Sequence, residues 1–495
     1  MKKFFYLLVV LFYMTSSAFA QESNSSRNHR EDPYPLWIDT IVSRPEGYHM
    51  DTEGNVEISS FDGLVWLISI VNGLNGCEPN DFDGCTVRLA NDIDFGEEGW
   101  SYCFSPIGTR ETPFLGTFDG NDHKIHHLFQ RYSRYDGINN YYFDMGVFGY
   151  IRHATVKNVT LDSTCRISSS CDYPGFYRGG MVGFADSLSI VDNIYIHSQG
   201  IAHSYGSSLV GMNRNSTVRN CACGGQNYYF GSPDEGAVLV DYNRCDGGFA
   251  DAIVENCYFY GGIDWSYNTR YVGGLVHFNE TLPNNNGKRA ILRNCHSTPI
   301  DEFLGYKGYG SFAVFLTEGS CIKYCYTDPT KMYQNAPMVG LNQGGELMYC
   351  SEYTNIDGIG TLTIPVTIND TTIDNLLDAL NLWIIEQEHP ELYRTWAIVN
   401  DSIPVFGDYY VGISENPTPD DMVTIRPNPT LGMIAIMGEN LHQAAVVNML
   451  GQQVLMVQGE DNELRIDMTA LPAGIYFVAV TDNNGRKTVQ KVVKQ

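Results

Sequence analysis

The sequence predicts an all-β protein: a right-handed parallel β-helix with capping helices, followed by a small C-terminal β-sandwich. Three observations carry that expectation. First, an eight-residue unit recurs as Ala154–Leu161, Ser189–Ile196, Ser216–Cys223, Ala252–Phe259 and Ala290–Ser297, with degenerate copies at Ser320–Thr327 and Gly345–Glu352. Self-similarity at such a period marks stacked repeats. Second, a Gly-rich apolar core accompanies most units: Gly146-Val147-Phe148-Gly149, Gly179-Gly180-Met181-Val182-Gly183, Ser208-Leu209-Val210-Gly211, Gly273-Gly274-Leu275-Val276-His277 and Pro337-Met338-Val339-Gly340. Third, the end of the chain alternates apolar and polar residues in short runs separated by turn residues, the pattern of a small sandwich.

Each recurring unit is anchored on one residue: Asn158, Asn193, Asn220, Asn256 and Asn294, then Tyr324 and Tyr349, at intervals of 35, 27, 36, 38, 30 and 25 residues. Two short strands per rung with tight corners fit this pattern. Gly permits a left-handed corner. Asn tolerates the same backbone and can bond to the Asn of the next rung. The five Asn are therefore expected to form a structural ladder, at a strand spacing of about 4.8 Å.

In chain order, Met1–Ala20 has the form of a secretory signal peptide, with Lys2 and Lys3, the apolar run Phe4–Met14, and a small-residue cut between Ala20 and Gln21. Residues 21–55 are a polar leader. Residues 56–355 are assigned to the β-helix. A helix from Ser59, with Asp62 as capping partner, carries Leu64, Leu67, Ile68 and Val71 on one face and would cover the first rung. A second helix is expected over Asp370–Glu388, capped by Thr371 and Asp374, within a C-terminal cover at 356–411. Residues 412–422 form a Pro-rich linker, and 423–495 a separate module.

Lys plus Arg number 31 against 57 Asp plus Glu, a formal net charge of −26. Such a chain does not hold a phosphate backbone by charge, which argues against nucleic acid. No stretch after the leader is long and apolar enough for a transmembrane helix.

Two resemblances follow from these residues. The Gly-Gly-Leu-Val-Gly-like cores, with Asn91-Asp92-Ile93-Asp94, Pro106-Ile107-Gly108 and Phe118-Asp119-Gly120-Asn121 ahead of them, resemble the GLUG repeat of bacterial surface proteins. The repeat implies a scaffold, and several members are adhesin-like. The blocks Arg426-Pro427-Asn428-Pro429, Asn448-Met449-Leu450-Gly451-Gln452-Gln453, Leu471-Pro472-Ala473-Gly474-Ile475-Tyr476 and the Lys491–Lys494 end resemble the type A C-terminal sorting domain of type IX secretion in Bacteroidota. That resemblance implies passage through the periplasm to the outer surface or medium, contact with the secretion machinery, removal of the tail, and exchange for a lipopolysaccharide anchor.

Candidate chemistry is sparse. The sequence holds no H-E-x-x-H, G-x-S-x-G or G-x-x-x-x-G-K-[ST] pattern. His123, His126 and His127 lack the spacing of a zinc pair, so no metal site is assigned. The acidic turns Asp81/Asp83, Asp92/Asp94 and Asp119/Asp122 suit calcium by ligand type, although none completes a calcium loop and turn formation explains them. No other cofactor is indicated. Thirteen Cys in an exported chain invite disulfides, with Cys77 and Cys85, and Cys165 and Cys171, close enough to close small loops. Cys221, Cys257, Cys295, Cys325 and Cys350 follow successive anchors, and an inward thiol ladder is preferred over inter-rung disulfides there.

The ligand-binding candidates are Phe143, Tyr177, Tyr205 and Tyr271, which precede the Gly-rich cores and would form an aromatic stripe for a glycan or host surface protein. The competing reading is that these rings seal a sheet corner. As an alternative, Asp241, Asp246 and Asp251 would be the carboxylates of a polysaccharide hydrolase or lyase on the same scaffold. A non-catalytic adhesin or binding scaffold is the favoured expectation.

Overall fold

The computed structural model describes residues 35–132, 144–169, 176–197, 200–203, 205–231, 235–264, 271–299, 308–328, 337–354, 360–398, 404–407, 423–427, 430, 432–448, 453–472, 474–482 and 487–494. The signal-peptide residues, including Ala20 and Gln21, lie outside this set, as do Phe143 and Cys171.

Parallel strands stack rung on rung into a β-helix. One wall is a seven-stranded parallel sheet built from the Gly-rich cores, running from Phe148–Arg152 to Val339–Gln343. The strands leading into each anchor form another wall. Its inward row runs Val56, Val87, Phe118, Val156, Val191, Val218, Val254, Leu292, Ile322 and Leu347, each in register with the next. The row is fully buried from Val87 to Ile322, whereas Leu347 is 41% exposed.

The corners follow from backbone sterics. Asn158, Asn193, Asn220, Asn256 and Asn294 have φ between 50° and 57°, and Tyr324 and Tyr349 take the same conformation at 54° and 53°. Asn pays less for this region than other L-residues because its short amide bonds locally. The amides bond along the solenoid: Asn193 Nδ2 donates to Asn158 Oδ1 (2.9 Å), Asn256 to Asn220 (2.8 Å) and Asn294 to Asn256 (2.9 Å). Between Asn193 and Asn220 the direct link is missing, and Asn220 donates to Asp192 instead. The two Tyr rings stack at 5.0 Å.

A second amide ladder lies inside. Asn213, Asn243 and Asn279 are fully buried, with Asn213 donating to Asn243 (2.8 Å) and Asn243 to Asn279 (2.7 Å). Their remaining hydrogens reach backbone carbonyls such as Ala252 O and Cys321 O. Burying an amide is tolerable only when its donors are satisfied in this way.

The helix at the first end is Phe61–Asn72, with Ser60 rather than Ser59 at the N-cap position, and it ends at Gly73 in the left-handed conformation. Ser60 Oγ bonds the Asp62 carboxylate, so it does not cap a backbone N–H. Leu64, Val65, Leu67 and Ile68 are fully buried against the first rungs.

The second helix is shorter than expected. Thr361–Ile368 and Thr371–Asn375 form an antiparallel hairpin, and the helix spans only Leu376–Ile385, with Asn375 accepting from the Asp378 N–H. Thr371 and Asp374 are strand residues, not a capping box. The reason is local: Asn369-Asp370 both have positive φ (42° and 63°), the geometry of a tight hairpin turn, and Thr371-Thr372-Ile373 is β-branched.

The segment carrying this helix lies along the flank of the solenoid. It covers an outward row in which Tyr195, Ala222, Tyr258, His296 and Tyr326 are in register. Trp396 and Phe406 pack on Tyr258 at 5.6 and 5.2 Å. Trp396 Nε1 donates to Asn256 Oδ1 (2.8 Å), and the Arg394 N–H donates to Asn220 Oδ1 (3.0 Å).

The C-terminal strands form a five-stranded antiparallel sheet, with Met433–Val447 pairing both Gln453–Asp467 and Gly474–Asp482. Ile434, Ala444, Val446, Val478 and Val492 are among its fully buried residues.

Candidate binding face

The outer surface of the seven-stranded wall carries a row built by the pleat. Tyr150, Phe184, Met212, Tyr242, Phe278, Phe315 and Leu341 are in register from one rung to the next. This row packs apart from the main core. Tyr150, Phe184 and Met212 are buried, Tyr242, Phe278 and Phe315 are half-buried, and Leu341 is 49% exposed. Tyr242 stacks on Phe278 at 4.7 Å and Phe278 on Phe315 at 4.5 Å, with interplanar angles of 5° and 9°. Rings stacked this way use their faces on one another and turn their edges outward.

Charged groups flank the row in pairs. Arg110 grips Asp144 with two bonds of 2.7 and 2.8 Å, and Arg214 grips Asp186 at 2.8 and 2.7 Å. Burial lifts the Asp144 carboxyl above its usual range despite Arg110. Burial also acts on Asp186, but the bonds from Arg214 and Tyr150 outweigh it and hold that carboxyl low. Arg244 bonds Glu280 at 2.6 Å and lies 5.1 Å from the Tyr242 ring.

The repeat is broken beside this row. Gly149, Gly183 and Gly211 stand ahead of Tyr150, Phe184 and Met212, and an added Cβ would strike backbone within 3 Å in each case. In the next two rungs the corresponding places hold Asp241 and His277. Both are buried, and the Asp241 carboxylate accepts from His277 Nδ1 at 2.8 Å. The imidazole lies against Phe278 (4.3 Å) and Phe315 (5.7 Å). Its Nε2 has no hydrogen-bond partner among the described residues. No hydroxyl or thiol of the described residues bonds that nitrogen, so no nucleophile–base pair is formed there.

The candidates from sequence are spread more widely. Tyr177 is half-buried and packs edge-on against Phe184 (5.2 Å) and Tyr242 (5.5 Å), joining this face. Burial raises its hydroxyl pKa. Tyr205 and Tyr271 lie on a separate four-stranded sheet, where Glu235 stands between them in register and Gly308 follows Tyr271. The three positions do not adjoin as one unbroken aromatic row. Of the carboxylates, only Asp241 is on the face. Asp246 and Asp251 sit in the turn between Val240–Cys245 and Ala252–Glu255. Asp246 is 4.0 Å from Arg214, and Asp251 accepts from the Arg289 N–H at 2.7 Å.

The acidic turns are engaged in bonds of their own. Asp92 accepts from His123 Nδ1 and Lys124 N, Asp94 from His127 and Gly96 N, and Asp119 from Asn158 and Asn121 N. Among the described residues no three His, Cys, Asp or Glu side chains converge as a metal site.

Cys77 and Cys85 are free, half-buried thiols, so the structure holds no bond between them. Cys165 is buried, with Sγ donating to Ile125 O at 3.1 Å. Cys221, Cys257, Cys295 and Cys325 are fully buried free thiols, and Cys350 is half-buried. Each Sγ donates to the carbonyl two residues earlier, as Cys257 does to Glu255 O at 3.1 Å. The Cys221 and Cys257 N–H groups point to the next sulfur at 3.4 Å. Burial pushes the Cys257 and Cys325 thiols up, so they remain protonated.

Residues 424–495 match the family of secretion system C-terminal sorting domains. That tail is the export signal of type IX secretion, so the chain engages that machinery and reaches the cell surface or the medium. No curated protein matches the chain. No helix among the described residues is long and apolar enough to cross a membrane.

Proposed function

We propose that the protein is a non-catalytic binding scaffold of the bacterial surface, an adhesin-like β-helix whose ligand face is the outer row around Tyr242, Phe278 and Phe315. The observation that carries this reading is the difference between the two outer rows. Tyr258, His296 and Tyr326 are sealed by the flank segment, whereas Tyr242, Phe278 and Phe315 are left half-open beside Arg244 and Glu280. Ring edges and a paired Arg suit a surface of another protein better than a sugar, which takes up ring faces. The GLUG-like cores and the Bacteroidota-type tail support the same setting, with lipopolysaccharide anchoring after tail removal.

The second reading, a carbohydrate-active enzyme, draws on the buried Asp241–His277 pair with its open Nε2. Binding of the full secreted chain to host-protein and glycan arrays separates the two. Tyr242→Ala and Phe278→Ala are expected to weaken binding at least tenfold, while Asp246→Asn and Asp251→Asn leave it unchanged. Release of new reducing ends from any arrayed polysaccharide would overturn the proposal.

A further inference from the structure

The two ends of the solenoid are finished differently. At the first end the helix Phe61–Asn72 buries its apolar face over the opening rungs. At the other end the last rung keeps core-type residues that nothing among the described residues covers. Leu347 continues the inward row that is fully buried at Leu292 and Ile322, yet it is 41% exposed. Cys350 continues the thiol ladder and is only half-buried. Leu341 and Tyr349, the last members of their own stacks, are 49% and 53% exposed. The strand Val339–Gln343 pairs with Ala313–Thr317 on one side and ends its sheet on the other. The hairpin strand Thr361–Ile368 pairs with Ser351–Thr354 and so closes only part of this edge.

An open strand edge with apolar residues is a template for pairing with another chain. We propose that the occupant is a second copy of this chain, meeting the first tail to tail. Two features select it. The molecule carries a net charge of −26, which opposes self-association over most of its surface. From Pro337 to Tyr349 the only charged residue is Glu346, and its carboxylate lies 2.7 Å from the Arg289 guanidinium. The open end is thus a place where two copies meet without charge repulsion. The edge is also self-complementary: Leu341 is the middle residue of its strand, so a two-fold axis there pairs the two strands antiparallel with Leu341 opposite Leu341. Because the first end is covered, the contact closes as a dimer and does not propagate into a filament.

The test uses the full secreted chain. Sedimentation or light scattering is expected to give twice the monomer mass. Leu341→Lys combined with Leu347→Lys halves that mass with an unchanged melting curve, and Leu188→Lys, at a turn position that is 57% exposed, does not. Residues directly opposite in an antiparallel pair have Cα atoms about 4.5–5.5 Å apart, within disulfide range. Leu341→Cys is therefore expected to give a covalent dimer on a non-reducing gel under mild oxidation, and Leu188→Cys is not. This arm decides the matter even if the double variant folds poorly. A single-copy mass at every loading concentration would overturn the proposal, as would a dimer that survives the double Lys variant or that Leu341→Cys fails to cross-link.

Discussion

Single residues in this protein are asked to hold positions that their chemistry only just permits. His296 is the clearest case. It is fully buried, stacked on Tyr258 at 5.3 Å, and its Nε2 meets Pro404 O at 2.8 Å. Burial drives its pKa down from 6.5 to about 3. The folded state therefore binds fewer protons than the unfolded chain between those values, and stability falls as pH drops through that window. The loss reaches about 5 kcal/mol as an upper figure. His126 acts in the opposite sense. The Asp162 carboxylate, 2.6 Å away, raises its pKa, so its contribution is complete below 6.5 and disappears as pH rises through the raised value. Urea unfolding as a function of pH checks this. In His296→Gln, which cannot titrate, the decline between pH 6 and 3 is expected to flatten, whereas the loss above pH 6.5 persists.

Elements are coupled through the corner amides. Asn256 accepts from Trp396, donates to Asn220, and receives a bond from Asn294, so one amide ties three rungs to the flank segment. Trp396 in turn exchanges two backbone bonds of 2.9 Å with the Asn381 side chain on the helix Leu376–Ile385. Removing either partner leaves a buried polar group unsatisfied, at a cost of about 1–3 kcal/mol beyond the lost packing. Trp396→Ala and Asn256→Ala are each expected to lower stability strongly. Together they should cost less than the sum, by about 0.5–3 kcal/mol in a double-mutant cycle, because the second change removes a group the first had already orphaned. Additive effects would mean that the flank is held by apolar contact alone. At the same scale the hairpin at Asn369-Asp370 shows how a helix boundary is misjudged: Ile373 belongs to the strand, and only from Leu376 does helical periodicity govern.

At the scale of the whole molecule, an acidic β-helix is joined to a sheet module whose sequence matches a sorting domain. Function at the surface depends on the module being present during export. Deleting residues 423–495 is expected to leave the protein in the periplasm, which cell fractionation would reveal as loss of the surface and medium pools. Unchanged export without the tail would remove the basis for placing the protein outside.

The sequence by itself determined the repeat, its Asn corners and the tail. Each of these depends on a local requirement, a left-handed backbone or a fixed run of turn and strand residues, that only a few residue types meet. The inward Cys positions were legible for a similar reason, since they replace Val159 and Ile194 at one point of the unit. The tertiary structure decided what covers what. Tyr258 and Tyr242 are both outward aromatics on a strand, yet the flank segment buries the first and leaves the second half-open. Likewise Leu347 reads as one more core residue, and it is 41% exposed because no further rung among the described residues follows it. The Asp241–His277 pair, hidden in positions where three earlier rungs hold Gly, became visible only once the register set the two side by side. Burial and pairing between distant residues are sums over neighbours that the chain brings together in space, and no local pattern records them.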